Sequence, residues 1–153
     1  DNHQCGGAWG YVRWKHDGGD MSATDAFKTD LSFVGDLQKS PSGDLATVTG
    51  IANLKQALFQ RLITVPGTLV HRPTYGCGVP LFSGRLSSFS VQQRLAAIIQ
   101  EQFKQDPRVE DVKSVSITAN DTEPQLTLVR VFVKPVGYSE RYLEFTPFLG
   151  GGM

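Results

Sequence analysis

Thr64-Val-Pro-Gly-Thr-Leu-Val-His-Arg-Pro-Thr-Tyr-Gly-Cys-Gly-Val-Pro-Leu-Phe82 lies between two segments patterned as helices. Pro66-Gly67 makes continuation of a helix costly, because proline lacks the N–H and glycine loses the most entropy. Thr68–His71 is expected to be a short extended piece. Gly76 and Gly78 free the backbone to turn tightly while Tyr75 packs. The stretch therefore reads as a structured loop joining two separate helices.

Before the loop, Ile51, Leu54, Leu58 and Leu62 recur at helical spacing, predicting a helix over 51–63 capped by Thr49, with Lys55 and Arg61 off the apolar face. Further back, Leu31–Lys39 and Asp44–Val48 predict a β-hairpin, its turn supplied by Ser40-Pro41-Ser42-Gly43. After the loop, Val91, Leu95, Ile98, Ile99 and Phe103 form the buried stripe of a second helix, from Ser90 to Lys104. Pro107 ends it and forces Asp106 into an extended conformation. Strands are then expected at Val112–Thr118, Leu126–Lys134 and Arg141–Thr146, separated by Asn120-Asp121 and Pro135-Val-Gly137. Val129, Val131 and Val133 alternate with Leu128, Arg130, Phe132 and Lys134. The fold class is α+β: a β-hairpin and two amphipathic helices packed on a mostly antiparallel sheet, with C-terminal strands available for strand addition.

At 153 residues the chain suits one domain, expected over 21–146. Residues 1–20 are Gly-rich, with Trp9, Tyr11 and Trp14 among Arg13, Lys15 and His16, and form an expected arm anchored by Trp9 and Trp14. Met21-Ser-Ala23 itself reads like an ordinary translation start. Residues 147–153 are expected to be a flexible tail. No run of about 18 apolar residues suggests a membrane span. Net charge is zero but uneven: −3 over residues 1–50, +5 over 51–109 and −2 over 110–153. Such asymmetry suits docking of complementary faces, and falls short of the basic footprint of a nucleic-acid binder.

The Pro-Gly turn, the Pro73-Thr-Tyr-Gly76 loop and Asp106-Pro107-Arg108 at a helix end together resemble the baseplate-wedge, or sheath-initiator, family of contractile phage tails and related injection machines. The resemblance covers roughly residues 44–134. The family usually carries Glu where this chain has Asp106, one methylene shorter. The resemblance implies a structural protein of the virion tail baseplate, assembled in the host cytoplasm into a six-fold ring, needing no cofactor. Its implied partners are the tail sheath protein, other wedge proteins, and tube or hub proteins. Asp106, Pro107 and Arg108, with Arg72 and Tyr75, are the implied contact to the baseplate core. The rigid proline would aim the Arg108 fork at a partner, so that Arg108→Ala is expected to leave folding intact and weaken assembly; taken alone, the triplet reads instead as a helix terminator with an intramolecular Asp106–Arg108 pair. Leu126, Leu128, Arg130, Phe132, Lys134, Arg141 and Glu144 are the candidate edge for an added sheath strand, the charges guarding it until the partner arrives.

Two other classes fit less well. Similar proteins sometimes carry a lysozyme-like label, but glycoside hydrolysis needs two carboxylates across a cleft, and neither Glu101, Asp106, Glu123 nor Glu140 sits in a context of a desolvated acid. A single-strand-binding patch built from Trp9, Tyr11, Arg13, Trp14 and Lys15 is small for that task. His71 and Cys77 lack the further ligands of a metal site and the orienting third group of a nucleophile. Cys5 and Cys77 make no disulfide framework, and free thiols are expected.

Overall fold

The computed structural model describes residues 27–33, 36–82, 85, 86, 88–119, 126–137, 143–145 and 148–150. Trp9, Trp14 and Arg141 lie outside these residues, as does the expected arm. The elements are β1 (Thr29–Leu31), β2 (Thr47–Thr49), α1 (Gly50–Ile63), a short 3-10 turn (Val79–Phe82), α2 (Phe89–Lys104), β3 (Val109–Ala119), β4 (Leu126–Pro135), β5 (Leu143–Phe145) and β6 (Phe148–Gly150).

The hairpin is present, but its pairing is offset from the expected one. β1 pairs antiparallel with β2 from Thr29↔Thr49 to Leu31↔Thr47, while the turn end is held by the bridge Lys39↔Leu45. Phe33 bridges Leu37 within the first leg, which is therefore broken where a continuous strand was expected. α1 starts from Thr49, but the threonine hydroxyl makes no capping bond; Gly50, at φ +64°, turns the chain into the helix instead.

The second sheet has four strands. β4 is its centre, with β3 antiparallel along one edge and β5 and β6 along the other. β5 pairs Leu143↔Val133 through Phe145↔Val131, and β6 pairs Phe148↔Leu128 through Gly150↔Leu126. The two short strands keep one register, so together they act as a single edge strand. This corrects two expectations. Phe148–Gly150 is a strand of the sheet rather than flexible tail, and Leu126–Lys134 is the central strand rather than a free edge.

β3 is longer than expected and carries two register shifts, between Val109 and Asp111 and between Val112 and Ser114. Each inserts one residue, which resets the alternation. As a result Val109, Val112, Val115 and Ile117 stand opposite Pro135, Val133, Val131 and Val129, all on one face. Without the shifts, strict alternation from Val109 would carry Val112 to the opposite face.

That face meets α2, which packs along β3. α1 lies against α2 and against the hairpin. One core results: Leu54, Leu58 and Leu62 from α1, Leu95, Ile99 and Phe103 from α2, Val112, Val129, Val131 and Val133 from the sheet, and Phe27 from the segment before β1. The polar side of α1 then fastens that segment. Asn53 Nδ2 donates to the Phe27 carbonyl at 2.9 Å, and Gln56 donates to the Leu31 carbonyl at 2.8 Å while accepting from the Phe33 N–H at 2.9 Å.

Candidate functional site

The inter-helix loop is a chain of turns. The Thr68 N–H reaches the Val65 carbonyl at 3.2 Å across Pro66-Gly67, Arg72 reaches Leu69 at 3.1 Å, and Tyr75 reaches Arg72 at 3.0 Å across Pro73-Thr74. Thr68–His71 is therefore turn rather than extended. The Gly67 N–H closes the loop on the Pro73 carbonyl at 2.8 Å, and Cys77 and Gly78 donate to the carbonyls of Arg61 and Thr64, both at 2.9 Å. Gly76 is required by geometry. Its φ is +110°, and a Cβ there would stand 2.3 Å from the Thr64 carbonyl oxygen.

Two side chains anchor the loop from outside. Gln102, near the end of α2, accepts from the Gly76 N–H at 3.2 Å and donates to the Thr74 carbonyl at 3.0 Å. Arg61, near the end of α1, lies under the Tyr75 ring with its guanidinium carbon 4.5 Å from the centroid. Arg61 also donates through Nη1 to the Gln102 carbonyl, and is 7% exposed. Its Nε is buried with no hydrogen-bond partner among the described residues. An unmet buried donor costs about 1–3 kcal/mol, so the arrangement carries an expense that the remaining contacts must offset.

Asp106-Pro107-Arg108 lies beneath this loop, in the connection from α2 to β3. The Asp106 carboxylate faces inward at 4% exposure. Arg108 grips it with both ends of the fork: Nε to Oδ1 at 2.9 Å and Nη2 to Oδ2 at 2.9 Å, with the Arg108 backbone N–H adding a bond to Oδ1 at 3.0 Å. Arg61 Nη2 stands 3.9 Å from Oδ2. The Arg108 carbonyl in turn accepts from the Val136 N–H at 3.0 Å, tying the triplet to the end of β4. Burial by itself would raise the Asp106 pKa. The side-chain and backbone hydrogen bonds from Arg108, joined by the charges of Arg108 and Arg61, outweigh it and hold the carboxyl below its usual range. Arg108 is pushed up, first by its hydrogen bond to Asp106, against burial.

This changes the roles expected of the triplet. Asp106 is an internal acceptor, not a surface contact, and two side-chain donors of Arg108 are committed within the chain. Arg108→Ala would leave a buried carboxylate short of its main partner, so it is expected to destabilise the protein, contrary to the expectation from sequence. Arg72 is exposed in the loop and Tyr75 is half-buried over Arg61. Arg61 and Lys55, placed off the apolar face by sequence reasoning, are both buried. For Arg61 the signal was present: it follows Leu54 by seven residues, two helical turns, and so falls on the same face.

Cys77 is buried in the core cluster, and burial pushes its thiol up to about 12, with the nearby Arg61 charge opposing. A thiol so held is not a nucleophile near neutral pH. His71 is exposed. Among the described residues no group of three or more His, Cys, Asp or Glu could hold a metal ion, and no helix is long and apolar enough to cross a membrane.

In the sheet, β4 is paired on both sides, leaving the outer edges of β3 and of β5–β6 unpaired with any strand among the described residues. Lys134 is tied to Glu110 at 2.8 Å across β3 and β4, while Arg130 is exposed on the sheet face. Leu126 and Leu128 are register partners of Gly150 and Phe148, and Phe132 of Glu144, so these positions are satisfied by the chain's own strands.

No curated protein matches this chain. A chain in the cryo-EM structure of the anti-feeding prophage baseplate, 6-fold symmetrised, shares the fold at a TM-score of 0.59 and 19% identity, over 73% of this chain and 90% of that one. Residues 23–134 match the family model for the contractile injection system sheath initiator. With that match spanning most of its length, and with the two-helix unit, loop and sheet in place, the chain belongs to the contractile injection system sheath initiator family.

Proposed function

We propose that this chain is a structural subunit of the baseplate of a contractile injection system, and that sheath polymerisation begins on it by strand addition. The family match supports the baseplate role. The observation that carries the finer reading is the edge formed by β5 and β6: one register, antiparallel to β4, and unpaired on its outer side among the described residues. An extended arm of the sheath protein adding there would gain backbone hydrogen bonds without displacing any described strand. The outer edge of β3 suits this less well, because its two bulges interrupt regular pairing. Of the residues first considered, Glu144 stays at the receiving edge, Arg141 lies just before it in sequence, and the β4 residues support it from behind.

In this reading other wedge proteins, and tube or hub proteins, hold the subunit in a six-fold ring, and the loop around Arg72 and Tyr75 faces one of them. The protein acts by presenting surfaces and catalyses no reaction.

Deleting everything after Leu126 is a poor test, since it removes Val129, Val131 and Val133 from the core. Adjacent proline substitutions discriminate better. Successive N–H groups in a strand point to opposite sides, so of Leu143→Pro and Glu144→Pro one removes an inward bond to β4 and the other an outward donor. The expected result is that one variant keeps its thermal unfolding temperature yet fails to seed sheath from purified sheath subunits, scored by electron microscopy. Normal seeding by both folded variants would remove this edge from the mechanism.

A further inference from the structure

The loop between the helices is held far more firmly than its tip requires. Pro66-Gly67, Gly76 and Gly78 shape it, Gln102 pins its far limb through both ends of one amide, and Arg61 is buried beneath Tyr75. At the top of this pedestal Leu69 is 43% and Val70 88% exposed, and neither belongs to the core cluster. An apolar pair raised on a rigid support loses little conformational freedom on docking, which is the main way that pre-organisation improves affinity.

The charge pattern identifies what the tip would meet. From Leu45 to Gln100 the chain carries no Asp or Glu, but holds Lys55, Arg61, Arg72, Arg85 and Arg94. Lys55 and Arg61 are buried, while Arg72, Arg85 and Arg94 are exposed, Arg72 lying two residues from Val70. An apolar pair two residues from an exposed arginine, in a stretch of chain that itself carries no carboxylate, is complementary to an apolar pocket rimmed by acidic side chains.

The geometry points to the Leu69–Val70 tip as an anchor that inserts into an apolar, carboxylate-rimmed pocket on a neighbouring baseplate protein, with Arg72 engaging the rim. The inference rests on the reading of the chain as a baseplate subunit and adds a docking residue pair to it. Asp106, Arg61 and Gln102 are positioning residues for this anchor and do not touch the partner.

The test uses the full chain co-expressed with the other baseplate proteins of its own gene cluster, without the sheath protein, so that incorporation is read separately from sheath seeding. Val70→Asp, Val70→Lys and Val70→Ser are compared for incorporation into purified baseplates, with thermal unfolding as the control for folding. At so exposed a position all three are expected to fold as the parent does. Val70→Ser is expected to lower incorporation roughly tenfold, as loss of a central apolar anchor does. Val70→Asp should be worse than Val70→Lys, because the rim repels a carboxylate and attracts an ammonium. Equal loss with Asp and Lys would overturn the acidic rim, and normal incorporation of all three would overturn the anchor. A change confined to self-association of the isolated chain, seen by light scattering, would make the occupant a second copy and overturn the assignment. None of these results bears on the proline test of the β5–β6 edge, so the two readings fail separately.

Discussion

Two irregular regions flank α1, and both are fastened by a glutamine amide used in the same way. Gln56 takes the Leu31 carbonyl and the Phe33 N–H; Gln102 takes the Thr74 carbonyl and the Gly76 N–H. In each case one side chain imitates a strand neighbour, pairing with the carbonyl of one residue and the N–H two residues on. The surroundings differ. At the hairpin the amide bonds sit at the surface, helped by the neutral Asn53, and the strands around them remain exposed. At the loop the same device sits over a network of buried Arg61 and Asp106 and half-buried Arg108. A neutral clamp tolerates water as a substitute partner. A buried charged one does not, and so it fixes its loop more stringently.

The largest expected effect comes from removing the carboxylate at the centre of that network. Asp106→Ala leaves Arg61 and Arg108 without their shared anion and is expected to cost about 3–5 kcal/mol in denaturant unfolding. A loss within about 0.5 kcal/mol, the range usual for surface sites, would place the loop on the same footing as the hairpin. The pH dependence sharpens this point. The folded Asp106 pKa lies below its ordinary 3.8, so its contribution is complete above that value and disappears as pH falls through the folded pKa. The stability gap between the parent and Asp106→Asn should therefore be constant near neutrality and close in acid below 3.8.

Next comes Gly76→Ala. The backbone conformation alone is expected to cost about 1–3 kcal/mol, and the 2.3 Å approach to the Thr64 carbonyl adds to it. Thermal unfolding measures the loss; an unchanged midpoint would mean that the loop relaxes freely. The two glutamines make the direct comparison. Gln102→Ala is expected to cost about 1–3 kcal/mol because the Gly76 N–H is in a buried residue, and Gln56→Ala less than about 1 kcal/mol because water can reach the Phe33 N–H. Amide exchange at Gly76 and Phe33 reads the two sites separately, and equal protection factors lost at both would break the distinction. The smallest effect belongs to Val70→Ser, within about 0.5 kcal/mol in stability.

Much of this architecture was legible in the residues. The two helices lie within one residue of their expected boundaries because their apolar spacing is regular and proline or glycine stands at their ends. Val129, Val131 and Val133 are buried as their alternation required. β3 was only half legible: its bulges set Val109 and Val112 on the face of Val115, and a three-residue spacing does not read as a strand. The site was legible as a list of residues but not as a set of roles. Asp106-Pro107-Arg108 announced a helix stop and a charged pair, while the direction in which that pair faced depended on Arg61, far from it in sequence.

The residues alone determined what local chemistry dictates: where helices stop, which glycines turn, which strands alternate, and the family to which the Pro-Gly turn and acidic-Pro-Arg triplet point. Tertiary structure decided whatever depends on a partner distant in the chain. It made Leu126–Lys134 the central strand, because β5 and β6 return to its free side. It turned Asp106 inward, because α1 delivers Arg61 to the same place. Periodicity encodes which face of an element is apolar, but which edge is taken and which charge is buried are settled only when separate elements compete for the same space.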